Sequence, residues 1–267
     1  MKAIFTFKKI DGHYKPRDER FVQMAKLSVL SASRFYKTKL YTDTYGKYFF
    51  ESRGIKFDEV EILESIDKYK GTLEVMPKIY TLLEQTEPYV HINLETIIFE
   101  KIYSPHTITC SYWDLDLNNN PKLDQFESMM YHYQAPWRKY ADDLFEELEP
   151  KFCRVPNTSF LMVKNPKAIT EIYKTILSKF EPHTLDVCDT PQLFENFLPY
   201  QFILKNKIDF GFVNDYGSED IVNKPEGSYK LYNLSDYWAK DYNVVIDELK
   251  KISLKFGMKS IYKKTLM

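Results

Sequence analysis

The residues of this chain best suited to chemistry by type and spacing lie in Pro88-Tyr89-Val90-His91-Ile92-Asn93-Leu94-Glu95-Thr96-Ile97-Ile98-Phe99. The run reads as a short buried strand that ends in a polar-x-polar step and continues into a second apolar stretch. In an extended chain alternate side chains share a face, so Asn93 and Glu95 project together while Leu94 points to the core. Oxygen-bearing side chains at the carboxyl end of a strand stand where open α/β sheets bind ligands. Two carboxylates there would suit a divalent cation gripping a diphosphate; here one of the two is an amide, a ligand without charge. The competing reading is a strand-end turn whose side chains cap a helix or bond the backbone. His91, inside the apolar strand, reads as a satisfied core histidine.

The flanking elements must position these groups. Ala3 to Phe7 predicts a strand, and Phe21, Met24, Ala25, Ser28, Ala32 and Phe35 fall at helical spacing. Lys39 to Asp43 predicts a second strand, and a helix through Tyr48, Phe49 and Phe50 should close at Gly54. Phe57 to Leu63 predicts a third strand. Met76, Ile79, Leu82 and Leu83 mark a helix that delivers the chain to Pro88. Such alternation implies a mostly parallel sheet with helices on its faces. It is regular to about Ser111, then breaks at Trp113-Asp114-Leu115-Asp116, expected to open a polar turn or loop running to Pro121. Trp137 to Leu148 predicts an acidic helix, Phe160 to Val163 a strand, and Pro166 opens a helix to about Phe180. A helix follows Pro191, Ile208 to Val213 predicts a strand, and Asp236 to Phe256 a C-terminal helix.

The 267 residues suffice for a full core. With 37 Lys and Arg against 38 Asp and Glu, no global basic field points to nucleic acid. Abundant Tyr and Phe with only 8 Gly argue against disorder. Cys110, Cys153 and Cys188 form neither a disulfide framework nor a metal-binding pair, which indicates a reducing compartment. The N-terminal apolar run is too short for a signal peptide, and no segment approaches the roughly 20 apolar residues of a transmembrane helix. The expectation is a soluble protein of the cytoplasm, or of the host cytoplasm if viral.

In order and spacing these segments resemble a glycosyltransferase of the GT-A fold, of the small bacterial and viral polysaccharide type. Leu40-Tyr41-Thr42-Asp43 resembles the family's strand with a Tyr-Thr-Asp end, and Gly54-Ile55-Lys56-Phe57-Asp58-Glu59-Val60 its glycine-led strand entry. Lys78-Ile79-Tyr80 ahead of Pro88 to Glu95 resembles a lysine helix, a proline and a strand ending Asp-x-Asp. Asn157-Thr158-Ser159-Phe160-Leu161 and Leu193-Phe194-Glu195-Asn196 resemble the asparagine-led strand and Phe-Glu-Gln helix of the acceptor half. The resemblance covers residues 1–115 well, 155–210 in patches, and nothing beyond.

It implies an α/β fold: a GT-A-like (Rossmann-like), mostly parallel central sheet flanked by helices, with a helical C-terminal part. One domain would span 1–267, with about 1–115 as the nucleotide-sugar half and about 116–267 as the acceptor half. Thr6, Phe7 and Asp43 would hold the nucleoside of a UDP- or GDP-sugar. Lys78 would help with the diphosphate, and Asn93 and Glu95 would face the donor sugar or a Mn²⁺ or Mg²⁺ ion. Asn93 stands where the family has its first aspartate, and no histidine follows His183 to serve as a late metal ligand. Lys78 reads equally as a solvated helix lysine, and Asp43 as a turn former.

In the second half, Glu195 and Asp189 are candidates for the general base or for binding acceptor hydroxyls. The alternative for each is an acid at a helix N-terminus, and Asp189-Thr190-Pro191 looks like a cap. Asp114 and Asp116 read first as an Asx turn. Sugars stack on aromatic rings, so Trp113, Tyr131, Tyr133, Trp137 and Trp238 could form platforms. Asn157, Glu195, Asp186, Tyr200 and Trp137 favour a saccharide acceptor, and the acidic stretch Asp142 to Glu147 opposes a DNA phosphate groove. The function expected is sugar transfer in polysaccharide biosynthesis. The alternative is a weakened or inactive relative that binds a nucleotide, a glycan or a partner.

Overall fold

Near-continuous apolar runs in strands buried on both faces alternate with amphipathic helices, and this pattern dictates a layered sheet. The computed structural model describes residues 1–10, 19–116, 154–179, 193–213, 230–233 and 251. Its strands are β1 (Lys2–Phe7), β2 (Lys37–Thr42), β3 (Glu59–Ile62), β4 (Tyr89–Ile92), β5 (Thr96–Ile98), β6 (Ile108–Asp116), β7 (Arg154–Val163), β8 (Phe210–Phe212) and β9 (Leu231–Asn233). The helices are α1 (Glu19–Ser33), α2 (Thr44–Ser52), α3 (Glu64–Lys68), α4 (Met76–Leu83), α5 (Pro166–Lys179) and α6 (Leu198–Lys205), with a π-helical turn at Leu193–Phe197.

The main sheet has seven strands in the order β3-β2-β1-β4-β7-β6-β8. Parallel pairing joins β3, β2, β1 and β4, and also β6 and β8, while β7 is antiparallel to both neighbours. This is the expected α/β arrangement, a mostly parallel sheet flanked by helices. Alternate residues of each strand feed opposite layers. Ile4, Tyr89 and Leu161 pack with Ile79 of α4, Ile172 of α5 and Phe202 of α6. Their neighbours Phe5, Val90 and Phe160 pack with Phe21 of α1 and Phe49 of α2 on the other face.

Several local predictions are met. Of the predicted positions, Phe21, Met24, Ala25, Ser28 and Ala32 are buried in α1, while Phe35 lies past its end and is half-buried; the two buried serines have partners outside the helix, as Ser28 Oγ donates to the Thr96 carbonyl at 2.6 Å and Ser31 Oγ accepts from Ile98 N at 3.0 Å. Gly54 closes α2 with φ of +65°, as Gly54 N and Ile55 N bond Glu51 O and Phe50 O. Asp43 caps the same helix through Gly46 N at 2.7 Å.

Two expectations are corrected. Trp113 to Asp116 do not form a loop but continue β6, paired to β7 as far as Asp116↔Arg154. Register shifts between Cys110 and Tyr112 and between Trp113 and Leu115 let the ladder absorb the polar residues, as bulges do. The extended backbone expected through Asn93 and Glu95 does not form, since β4 ends at Ile92. Thr96 N bonds Asn93 O at 3.0 Å, so the chain turns there, and β5 pairs with β9 in a separate antiparallel sheet. The acidic helix predicted at Trp137 to Leu148 and, apart from Lys251, the C-terminal helix lie outside the described residues.

Candidate active site

A cavity of about 230 Å³ opens at the carboxyl ends of β1 and β4. These are the neighbours across which the sheet order reverses, the place where open α/β sheets form ligand crevices. Thr6, Phe7 and Lys8 enter from the end of β1, and Glu74 and Lys78 from the start of α4. His91, Asn93 and Glu95 come from β4 and the turn after it, and Glu195 from the π-helical turn. π turns are frequent at functional sites. Asn93 and Glu95 both line this cavity, brought there by a tight turn and not by the extended backbone expected. That turn is held by Asn93 N bonding Ser159 O at 2.8 Å, and by Ser28 of α1 on Thr96 O.

Lys78 is the hub. It is 7 % exposed, which corrects the reading of a solvated helix lysine. Its ammonium bonds Thr158 O at 2.9 Å, Thr158 Oγ1 at 3.1 Å and Asn93 Oδ1 at 3.3 Å, and ion-pairs with Glu195 Oε1. Thr158 Oγ1 also lies 2.9 Å from Glu195 Oε1 and 2.8 Å from Asn196 Oδ1. Both ends of the motif-bearing segments are therefore tied to one buried cation. Glu95 is half-buried, and its carboxyl is pushed from 4.5 to about 7. Burial is the main cause, with the charges of Glu195 and Glu74 adding to it, against its own backbone N–H and Lys78.

His91 is only half satisfied. Thr81 Oγ1 donates to Pro77 O at 3.0 Å, and Thr6 Oγ1 donates to Thr81 Oγ1 at 2.9 Å. Each hydroxyl has one proton, so Thr6 Oγ1, 3.1 Å from His91 Nε2, must accept from it. The ring is thereby fixed with its proton on Nε2. The buried Nδ1 keeps a lone pair and has no partner among the described residues. Burial, then the charge of Lys78, holds the pKa well below the usual histidine value, so the ring is neutral.

The remaining sequence candidates divide. Phe7 stacks on Phe21 and Phe49 and forms apolar wall. Asp43 does not line the cavity; besides capping α2, its Oδ2 pairs with Lys8 at 3.3 Å. Asn157 also lies off the wall, and its Oδ1 accepts from Ser111 Oγ and Ser159 N, each at 2.9 Å, bracing the β6 bulge. Asp189 and Trp137 lie outside the described residues, as do Asp186, Tyr131, Tyr133 and Trp238; of Trp113, Asp114 and Asp116 only the backbone is described. Lys8 and Glu74 line the cavity and Thr158 holds Lys78, and none of the three was a candidate; the adjacency of Lys8 to Phe7 and of Thr158 to Asn157 was the available signal, and Glu74 had none.

Among the described residues the donor set is a poor fit for a divalent cation, which takes several oxygen ligands, one or two protein carboxylates being joined by carbonyls, waters or substrate phosphates. Here the ammonium of Lys78 already binds the amide oxygen of Asn93 and pairs with Glu195, so a second cation beside them would be repelled. Among the described residues no group of three or more His, Cys, Asp or Glu is arranged to hold a metal, and no helix is long and apolar enough to cross a membrane.

The profile of a family of unknown function (DUF6734) matches residues 8–158. No curated protein matches the sequence. Among solved structures, the chain is similar to mouse xyloside xylosyltransferase 1 in its apo form, with 10 % identity and a TM-score of 0.41 over 87 % of this chain and 96 % of that one. It is also similar to the PaToxG glycosyltransferase, with 11 % identity and a TM-score of 0.40 over 77 % of this chain and 68 % of that one. A third is the glycosyltransferase GlyE of Streptococcus pneumoniae TIGR4, with 11 % identity and a TM-score of 0.40 over 94 % of this chain and 64 % of that one.

Proposed function

The chain belongs to DUF6734, a family of unknown function, and we propose that it is a glycosyltransferase moving a sugar from a UDP- or GDP-linked donor to a saccharide-type acceptor. The observation that carries this reading is the convergence of Lys78, Asn93, Glu95 and Glu195 on one cavity at the carboxyl ends of β1 and β4. Donor contacts would come from residues 1–115 and the reacting acid from 116–267, with the whole chain acting as one domain. Buried Cys110, a free thiol, is consistent with a place in the cytoplasm.

In the proposed transfer the acceptor oxygen forms a bond to the anomeric carbon and its proton passes to the Glu195 carboxylate. The bond from that carbon to the diphosphate breaks, and the nucleoside diphosphate leaves with the electron pair. Glu195 suits the base because Lys78 and Thr158 hold its Oε1, while Oε2 makes no bond among the described residues. The wall cations are Lys8 and Lys78, paired with Asp43 and Glu195, so an anion reaching either must compete with a carboxylate.

Thermal shift against a panel of UDP- and GDP-sugars, with release of nucleoside diphosphate as the second readout, tests the proposal. Stabilisation by at least one donor and slow hydrolysis are expected. Absence of any shift at millimolar donor would refute it. The pairing of both wall lysines favours one further reading, a binding module without turnover. The Asn93→Asp variant separates the two: a rise in turnover supports a weakened enzyme, whereas donor binding without turnover in either form supports the module.

A further inference from the structure

We propose that the cavity is the sugar subsite of the donor cleft and that its wall selects an uncharged, hydroxyl-rich sugar over one bearing a carboxylate. This rests on the nucleotide-sugar reading and adds the class of sugar to it. Two observations carry it. First, the unfilled valences on the wall are acceptors: the Glu95 carboxylate makes no ion pair among the described residues, and Glu195 Oε2 makes no bond there. Second, the two cations on the wall are already matched, Lys8 by Asp43 and Lys78 by Glu195.

A ligand suited to these walls brings O–H donors and no negative charge. A hydroxyl of the donor sugar offers its proton to the Glu95 carboxylate, which leaves Glu195 Oε2 for the acceptor hydroxyl. A hexuronate would instead set its carboxylate beside Glu95 and Glu195, where like charges in a partly dry site repel. The same reasoning keeps a diphosphate out of this cavity. Size agrees, since about 230 Å³ lies below the roughly 300 Å³ at which pockets begin to hold a whole drug-sized ligand. One sugar ring is the part of the donor that the cavity holds.

Pairs of donors that share a nucleotide and differ at the sugar provide the test: UDP-glucose against UDP-glucuronate, and GDP-mannose against GDP-mannuronate. Binding is measured by titration calorimetry at pH 8 for the native protein and for Glu95→Gln, with circular dichroism as the check on folding. At least tenfold weaker binding of the uronate is expected in the pair whose nucleotide is accepted, and the gap should narrow at least threefold in Glu95→Gln. Uronate binding as tight as the neutral sugar overturns the inference and leaves the glycosyltransferase reading standing. A gap that Glu95→Gln leaves unchanged overturns the assignment of selection to this wall. If no donor of either pair binds, the glycosyltransferase reading fails, and the inference with it.

Discussion

Replacing Lys78 by methionine removes the one cation that Glu195, Asn93 and Thr158 share. The side chain keeps most of its volume, so the loss is electrostatic rather than a cavity. Removing one partner of a buried ion pair costs about 3–5 kcal/mol, because the other charge is left without compensation. The Glu195 side chain is 20 % exposed and water recovers part of that, which places the loss near the lower end, about 3 kcal/mol. At about 2.1 cal/mol/K per residue, a chain of 267 residues has an unfolding entropy of about 0.56 kcal/mol/K, so Tm should fall by about 5 °C. Glu195→Leu alone should cost a similar amount by stranding Lys78. The double variant Lys78→Met/Glu195→Leu replaces the pair with apolar groups and should be more stable than the sum of the singles by about 2 kcal/mol. Denaturant melts of the four proteins measure this coupling. A Lys78→Met protein melting within about 1 °C of the native one, or strictly additive singles, would show that the pair is not the hub described.

Stability should also respond to pH through Glu95. Its folded pKa of about 7 lies above the unfolded 4.5, so the folded state holds an extra proton between those values, and stability falls as pH rises through that window. With partial exposure the loss is on the order of 2 kcal/mol; Tm of Glu95→Gln should be flatter across the same range, and parallel curves would disprove the assignment. Gly54→Ala meets no atom within 4 Å, so its cost is that of the left-handed backbone alone, about 1–2 kcal/mol or a Tm decrease of about 2–4 °C.

Short-range pattern was enough for much of this protein. The burial stripe of α1, the glycine that ends α2 and the strand ends at Phe7 and Ile92 depend on residues a few positions apart, and there local sterics and periodicity decide the outcome. Elsewhere the deciding partner is remote. Asp114 and Asp116 carry turn chemistry, yet the β7 ladder provides the backbone bonds that keep them extended. Lys78 and Glu195 meet across 117 positions. The protonation of His91 follows from a hydroxyl chain through Thr6 and Thr81, on different elements. Which acid pairs with Lys78, which valences stay open towards a ligand and which carboxyl is pushed towards neutrality depend on burial and on charges placed by packing. These long-range terms have no counterpart in the order of neighbouring residues, so only the tertiary structure decides them.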